Sequence, residues 1–178
     1  MAEILSVIEL GNSILRQRSR PVGDLHHRRI QTLVDNLMAT LSNTNGVGIA
    51  APQVAQSERL FIVASRPNPR YPNAPEMEPT VMINPRILAH SEQVVKGWEG
   101  CLSVPGIRGL VPRYQAIEVE YIGRDGSQHR QELTDFVARI FQHELDHLNG
   151  IVFLDRVEST LDLISEKEFQ AQMAQTNS

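Results

Sequence analysis

One short segment constrains the fold of this chain more than any other: His143-Glu144-Leu145-Asp146-His147. On a helix the two histidines lie roughly 40° apart around the axis, and Glu144 is on the same side. Such a pair can bind one divalent cation, with the glutamate placed to move a proton. Because the flanking residues are largely apolar, we expect this helix deep in the structure; they include Phe136, Val137, Ile140, Phe141 and Leu148.

The elements around this segment are predicted from periodicity and turn residues. The metal-binding helix spans residues 135–149, with Thr134 as N-cap and Gly150 as C-terminal stop. An amphipathic helix spans residues 24–41 and is capped by Asp24. Strands at 116–122 and 129–133 form a hairpin. A last helix begins near Ser159 or Thr160, and its polar end, residues 172–178, is expected to fray.

Composition excludes several classes of protein. The 178 residues suit one domain, 1–178, and 41% apolar with 21% charged residues is near the globular norm. A net charge of −4 argues against a specific nucleic-acid-binding surface as the main function. We find no apolar run that could span a membrane and no signal peptide at the N-terminus, and the one cysteine excludes an internal disulfide. These features favour a cytoplasmic protein without membrane contact.

Two histidines do not complete a metal site, so a third ligand must come from elsewhere. The three-histidine peptidase pattern fails, because the residue three positions after Gly150 is Phe153. Glu158 and Glu166 are available but lack a supporting context. Cys101 is the better candidate, since the glycine before it allows close backbone approach. A small buried apolar role and a catalytic thiol paired with a histidine are the alternatives for this cysteine.

Three segments together resemble the peptide deformylase family. Residues 46–53 (GVGIAAPQ) are similar to its GxGxAAPQ motif, residues 99–103 (EGCLS) to its EGCLS motif, and residues 142–150 (QHELDHLNG) to its QHExDHLxG motif. Their order and approximate separation also match, and the resemblance extends from Met1 to about Arg156. The coincidence of three segments is far more specific than any one of them.

The resemblance implies an α+β fold in which antiparallel sheets surround the central metal-binding helix. It implies hydrolysis of the formyl group on the N-terminal formyl-methionine of newly made polypeptides during protein biosynthesis. Residue by residue, it makes Cys101, His143 and His147 the metal ligands and Glu144 the acid/base. It also places Gln53 and the Leu102 N–H at the carbonyl oxygen, and Gly48 where backbone approaches the substrate.

The resemblance implies Fe²⁺ as the metal, although ligand chemistry alone favours Zn²⁺, and Ni²⁺ or Co²⁺ are further substitutes.

An unbranched apolar side chain of the substrate needs a pocket, for which we predict Ile49, Trp98, Phe136 and Ile140; for these residues the alternative is an ordinary core position. Three hypotheses concern charged residues: Arg108 contacts the peptide backbone, Arg113 pairs with Glu99, and Asp146 orients a ligand histidine.

Two rival functions stay open at this point. One is a metallopeptidase or other amidase with the same helix motif, and the other is a non-catalytic module whose metal is structural. The expected partners are N-formyl-methionyl nascent peptides. Transient contact with the ribosome is left open, because the segment after Arg156 carries Glu166 and Glu168 and gives little support for docking through a basic C-terminal helix.

Overall fold

The computed structural model describes residues 2–176. Within this range the helices are α1 (Arg28–Ser42), α2 (Asp135–Leu148) and α3 (Glu166–Thr176). The strands are β1 (Gly48–Ala50), β2 (Leu60–Val63), β3 (Thr80–His90), β4 (Val94–Cys101), β5 (Val104–Tyr114), β6 (Ala116–Ile122), β7 (Gln128–Thr134) and β8 (Leu163–Ser165).

The strands form two sheets in which every neighbouring pair is antiparallel. The five-stranded sheet has the order β1-β2-β3-β6-β7, and the three-stranded sheet has the order β4-β5-β8. The predicted hairpin is β6 and β7, which pair in register from Ala116 with Thr134 to Ile122 with Gln128. The expected α+β class with antiparallel sheets is confirmed.

The helix α2 packs against both sheets, contacting β1, β2, β6 and β7 of the large sheet and β5 of the small one. Of its predicted apolar side chains, those of Ile140, Phe141 and Leu148 are buried, whereas those of Phe136 and Val137 are half-buried. Phe141 meets Phe61 of β2 edge to face with the ring centroids 5.2 Å apart. Burying a side chain of this size contributes roughly 1.5–3 kcal/mol. The apolar packing therefore holds the two histidines at a fixed position between the sheets.

The end positions of α1 and α2 differ from the predictions in detail. Asp24 accepts a hydrogen bond from the His26 N–H at 3.0 Å, so it closes a local turn, and α1 starts only at Arg28 after His27. Thr134 precedes α2 in extended conformation, but among the described residues its side chain makes no capping bond. Gly150 ends the segment with φ of +75°, and an added Cβ would lie 2.6 Å from the Arg16 carbonyl oxygen.

The C-terminal region is more broken up than the single helix predicted from residue 159 or 160. A short 3-10 turn, Thr160–Asp162, is followed by β8 and then by α3. The helix α3 includes residues 172–176 of the segment expected to fray, and residues 177 and 178 lie outside the described range. Across the described residues, none of the helices has the length and apolar character needed to cross a bilayer.

Candidate active site

Cys101, His143 and His147 come together where α2 meets the end of β4. Their ligand atoms all lie within 4.8 Å of one another, and the Cys101 Sγ is 3.2 Å from the His147 Nε2. One thiolate and two imidazoles form a donor set that suits zinc, iron and other transition metals. The three residues that the resemblance implied as ligands therefore fit a metal ion.

The charges inside this group favour the ligand form of the cysteine. Burial acts to raise the pKa of the Cys101 thiol, but His147 and His143 outweigh it, and the pKa lies well below its ordinary value. Burial acts to lower the pKa of His143, but the Cys101 thiolate and Glu99 outweigh it and raise the pKa well above its usual range. A thiolate is the form of cysteine that binds metal.

Glu99 of β4 holds the ring of His143. The Nδ1 of His143 is 2.9 Å from the Glu99 Oε2, which leaves Nε2 as the nitrogen for a metal. Burial acts to raise the pKa of Glu99, but Arg113 and His143 hold it well below its usual range. Glu99 is therefore a buried anion that fixes the orientation of one ligand.

Two arginines neutralise that anion. Arg113 donates to both Glu99 oxygens at 2.8 and 3.0 Å, which confirms the predicted pair, and Arg139 of α2 donates to Glu99 Oε1 at 3.0 Å. Asp146 does not act on a histidine directly: it pairs with Arg113 at 2.6 Å and with Arg156 at 2.7 Å. The hypothesis that Asp146 orients a ligand is thus corrected, since Glu99 makes that contact and Asp146 supports it through Arg113.

Glu144 of α2 lines a cavity that is also lined by Cys101 and His143. It is 4% exposed, and within residues 2–176 its Oε2 has no hydrogen-bond partner. Burial raises the pKa of Glu144 to about 7, against the opposing effect of the two histidines. A carboxylate with a pKa near neutrality is suited to accepting and returning a proton.

Gly48 makes room for that carboxylate. A Cβ added at Gly48 would lie 2.5 Å from the Glu144 Oε1 and 2.9 Å from its Cδ. Any larger residue at position 48 would displace the carboxylate. The resemblance implied that the Gly48 backbone lies close to the substrate; in the structure this backbone also lies close to the Glu144 carboxylate.

Gln53 lies in the 3-10 turn Ala51–Val54 directly after β1. Its Oε1 accepts the Ala50 N–H at 2.9 Å, which turns the amide nitrogen toward the metal group: Nε2 lies 3.5 Å from the Cys101 Sγ and 3.3 Å from the Ser103 Oγ. Leu102 lies in the tight turn between β4 and β5 and lines the same cavity. An amide donor is thus held beside the ligands.

A cavity that is open to solvent joins most of these groups; of the residues described so far, it is lined by Gly48, Gln53, Glu99, Cys101, Leu102, His143 and Glu144. Trp98, Phe136 and Ile140 line it, as predicted for the pocket. Residues that the sequence analysis did not assign to the site also line it; they are Gly46, Val47, Arg70, Tyr71, Gly100 and Arg139.

The structure places the side chains of Ile49 and Arg108 elsewhere than predicted. The Ile49 side chain is fully buried in the core cluster that includes α1, because successive residues of β1 face opposite sides of the sheet. The Arg108 guanidinium is also buried: it donates to Glu166 of α3 at 2.7 and 3.0 Å and lies 4.2 Å from the Phe169 ring. Neither side chain lies in the wall of the active-site cavity.

The sequence did not predict two features beside the ligands: the position of Arg139 and the contact between Glu99 and His143. Arg139 lies four residues before His143 on the same helix face, so helical spacing could have placed it near the site. The Glu99 contact depends on how β4 lies against α2, which no local pattern encodes.

The comparisons with known proteins agree with this geometry. A family model described as polypeptide deformylase matches residues 4–162. Peptide deformylase 2 of Nostoc sp. is 67% identical over 168 residues, covering 94% of each chain. Peptide deformylase 2 of Shewanella oneidensis is 50% identical over 152 residues, covering 85% of this chain and 83% of the relative.

Solved structures give the same result. A class I type b peptide deformylase from Acinetobacter baumannii with bound Met-Ala-Ser superposes with a TM-score of 0.86 at 48% identity, covering 88% of this chain and 100% of that chain. A peptide deformylase from Synechococcus elongatus in complex with actinonin has a TM-score of 0.78 at 34% identity, covering 89% of this chain and 81% of that chain. The chain belongs to the polypeptide deformylase family.

Proposed function

We propose that this chain is a metal-dependent hydrolase that removes the formyl group from the N-terminal formyl-methionine of newly made polypeptides and releases formate. The observation that carries the proposal is the group of Cys101, His143 and His147 together with Glu144, whose Oε2 has no hydrogen-bond partner within residues 2–176. Glu144 lines one cavity with Cys101 and His143. A metallopeptidase or other amidase is not favoured, because the deformylase family model matches the chain from residue 4 to residue 162.

The three ligands would hold one metal ion, which we propose to be Fe²⁺, with Zn²⁺, Ni²⁺ or Co²⁺ as substitutes. When bound, such an ion supplies Lewis acidity toward water and toward the formyl oxygen. A thiolate ligand and two imidazoles are compatible with all four ions.

Glu144 acts as the proton carrier in this proposal. Its carboxylate accepts a proton from the attacking water and delivers it to the nitrogen of the leaving amine. The pKa of about 7 allows Glu144 to be deprotonated for the first step and to give the proton back in the second. Gly48 keeps the space that the carboxylate needs.

Gln53 and Leu102 stabilise the charge that develops on the formyl oxygen. The Gln53 Nε2 and the Leu102 backbone N–H are the proposed donors, and losing one such donor typically costs about 3–4 kcal/mol of barrier. The Gln53 amide is suited to this role because the Ala50 N–H fixes its oxygen and leaves the nitrogen directed at the site.

The substrate methionine is proposed to lie against Trp98, Phe136 and Ile140. The peptide would extend beside residues 46–49 by main-chain hydrogen bonding, which tolerates many following sequences. In that arrangement Gly48 meets the substrate through its backbone. Ile49 would contribute through its backbone only, because its side chain faces the core.

We further propose that residues 1–178 act as a single catalytic domain in the cytoplasm, on nascent peptides and without a specific nucleic-acid partner. Docking on the ribosome through a basic C-terminal helix has little support, because the first turns of α3 carry Glu166 and Glu168 against Lys167 alone.

Formate release from formyl-Met-Ala-Ser by anaerobically prepared protein tests the function, with metal analysis on the same sample. We expect cleavage of the formyl peptide but not of acetyl-Met-Ala-Ser. The reason is that one carbon added at Gly48 would already lie 2.5 Å from the Glu144 Oε1, so little room is left there for an acetyl methyl group. Comparable cleavage of the acetyl peptide would favour a broader amidase. Full activity in air with zinc as the sole metal would contradict the assignment of iron.

A further inference from the structure

Residues 3–10, which we call the N-terminal strap, connect α1 to the active site. At its start, the Glu3 N–H donates to the Asn36 Oδ1 at 2.8 Å and the Leu5 N–H donates to the Thr40 Oγ1 at 2.9 Å. The Leu5 and Val7 side chains pack against the core cluster that contains α1. The first half of the strap is therefore anchored on a rigid helix.

The second half of the strap ends on the backbone of two active-site segments. The Ile8 N–H donates to the carbonyl oxygen of Gln53 at 2.8 Å, and the Leu10 N–H donates to the carbonyl oxygen of Ser103 at 2.8 Å. Gln53 follows β1 of the five-stranded sheet, whereas Ser103 adjoins Leu102 in the turn between two strands of the other sheet. The strap thus bridges the two segments that carry the proposed oxyanion donors.

A side-chain contact closes the connection. The Gln53 Nε2 lies 3.3 Å from the Ser103 Oγ, so Gln53 and Ser103 are joined both directly and through the strap. Gln53 is 1% exposed and Ser103 is fully buried. The four residues Ile8, Gln53, Ser103 and Leu10 therefore form a closed ring of contacts around one side of the site.

We propose that the N-terminal strap, together with the Ser103 hydroxyl, is a positioning element for the oxyanion donors Gln53 and Leu102. Donors act on a transition state only when they are held within about 0.5 Å of the productive geometry. The strap fixes the backbone of both donor segments from outside the cavity, and the Ser103 hydroxyl fixes the amide of Gln53. This inference rests on the proposed function, because it needs Gln53 to act on the formyl oxygen.

A double-mutant cycle in deformylation kinetics tests the proposal. Ile8→Pro removes the N–H that binds the Gln53 carbonyl, and Ser103→Ala removes the hydroxyl without changing the backbone. Ser6→Pro is the matched control, because Ser6 is an exposed strap residue whose N–H donates no hydrogen bond within residues 2–176. Each variant is measured alone and combined with Gln53→Ala, together with metal content and Tm.

In the wild-type background we expect Ile8→Pro and Ser103→Ala each to lower kcat about tenfold with KM nearly unchanged, as loss of an interaction made only in the transition state requires. In the Gln53→Ala background, Ser103→Ala should change kcat less than about twofold, because the amide that it holds is gone, and Ile8→Pro should lose most of its effect. Ser6→Pro should match the wild type in both backgrounds. This non-additivity separates positioning from a general loss of stability.

Fully additive losses in both backgrounds, or an unchanged kcat in Ile8→Pro and Ser103→Ala, would overturn the proposal. If Ile8→Pro does not fold, Ser103→Ala decides by the same criterion. Failure of the strap is distinct from failure of the proposed oxyanion role: the latter would appear as an unchanged kcat in Gln53→Ala alone.

Discussion

Replacing Gly48 with alanine should impair catalysis through Glu144. The added Cβ would lie 2.5 Å from the Glu144 Oε1, 2.9 Å from its Cδ and 3.0 Å from its Cγ. Because Glu144 is 4% exposed, the carboxylate cannot simply swing into solvent. To reach ordinary contact distance, the carboxylate and the β1 backbone must separate by about 1 Å, close to the misplacement that costs roughly a hundredfold in rate.

We therefore expect Gly48→Ala to lower kcat for formyl-Met-Ala-Ser by about a hundredfold, which corresponds to about 2.7 kcal/mol of barrier. Metal content should be unchanged, because Gly48 is not a ligand. Gly23→Ala is the matched control, since an added Cβ there meets nothing within 4 Å, and its kcat should equal that of the wild type. A Gly48→Ala protein with wild-type kcat would show that the carboxylate position is not critical and would refute the reasoning.

Three further predictions concern stability and the metal. Arg139→Met removes a cation from buried Glu99 and leaves the carbonyls of Val95 and Val111 without this donor. The free energy of unfolding in urea should therefore fall by roughly 2–4 kcal/mol. An unchanged unfolding midpoint would contradict these contacts. Glu166→Gln should reduce the acid sensitivity of unfolding. The hydrogen bond from Arg108 lowers the pKa of Glu166 in the folded protein. The carboxylate of Glu166 therefore stabilises the fold above its unfolded-state pKa, and this stabilisation is lost as pH falls through its folded-state pKa. Equal pH profiles of stability for the variant and the wild type would argue against this contribution. Removing the metal with a chelator should lower Tm as well as activity, because the three ligands converge only in the folded chain, and both should return on adding Fe²⁺ anaerobically.

The sequence predicted those parts of the structure that depend on local spacing. The apolar periodicity of α2 located the helix within one residue at its C-terminal end, and its two histidines meet Cys101 as the family motifs implied. The pairing of Arg113 with Glu99 could be predicted because the two residues are only 14 positions apart in the chain. In these cases chain proximity or helical spacing already constrains the geometry.

Contacts between distant segments could not be read in this way. Arg108 is turned away from the cavity by Glu166, which lies 58 residues further along the chain. Ile49 is adjacent to Gly48 in the sequence, but the alternation of a strand directs its side chain to the opposite face, and its apolar character fits core and pocket equally well. The strap contacts of Ile8 and Leu10 are made by backbone groups, for which side-chain patterns carry no signal.

The central claim is that Glu144 transfers the proton at a metal held by Cys101, His143 and His147. The most direct measurement compares formate release by Glu144→Gln and wild-type protein, prepared anaerobically and brought to equal metal content. Because general acid–base catalysis contributes roughly 10²–10⁴-fold, we predict a loss of kcat in that range with the metal retained. A Glu144→Gln protein that binds metal and releases formate at the wild-type rate would contradict the account.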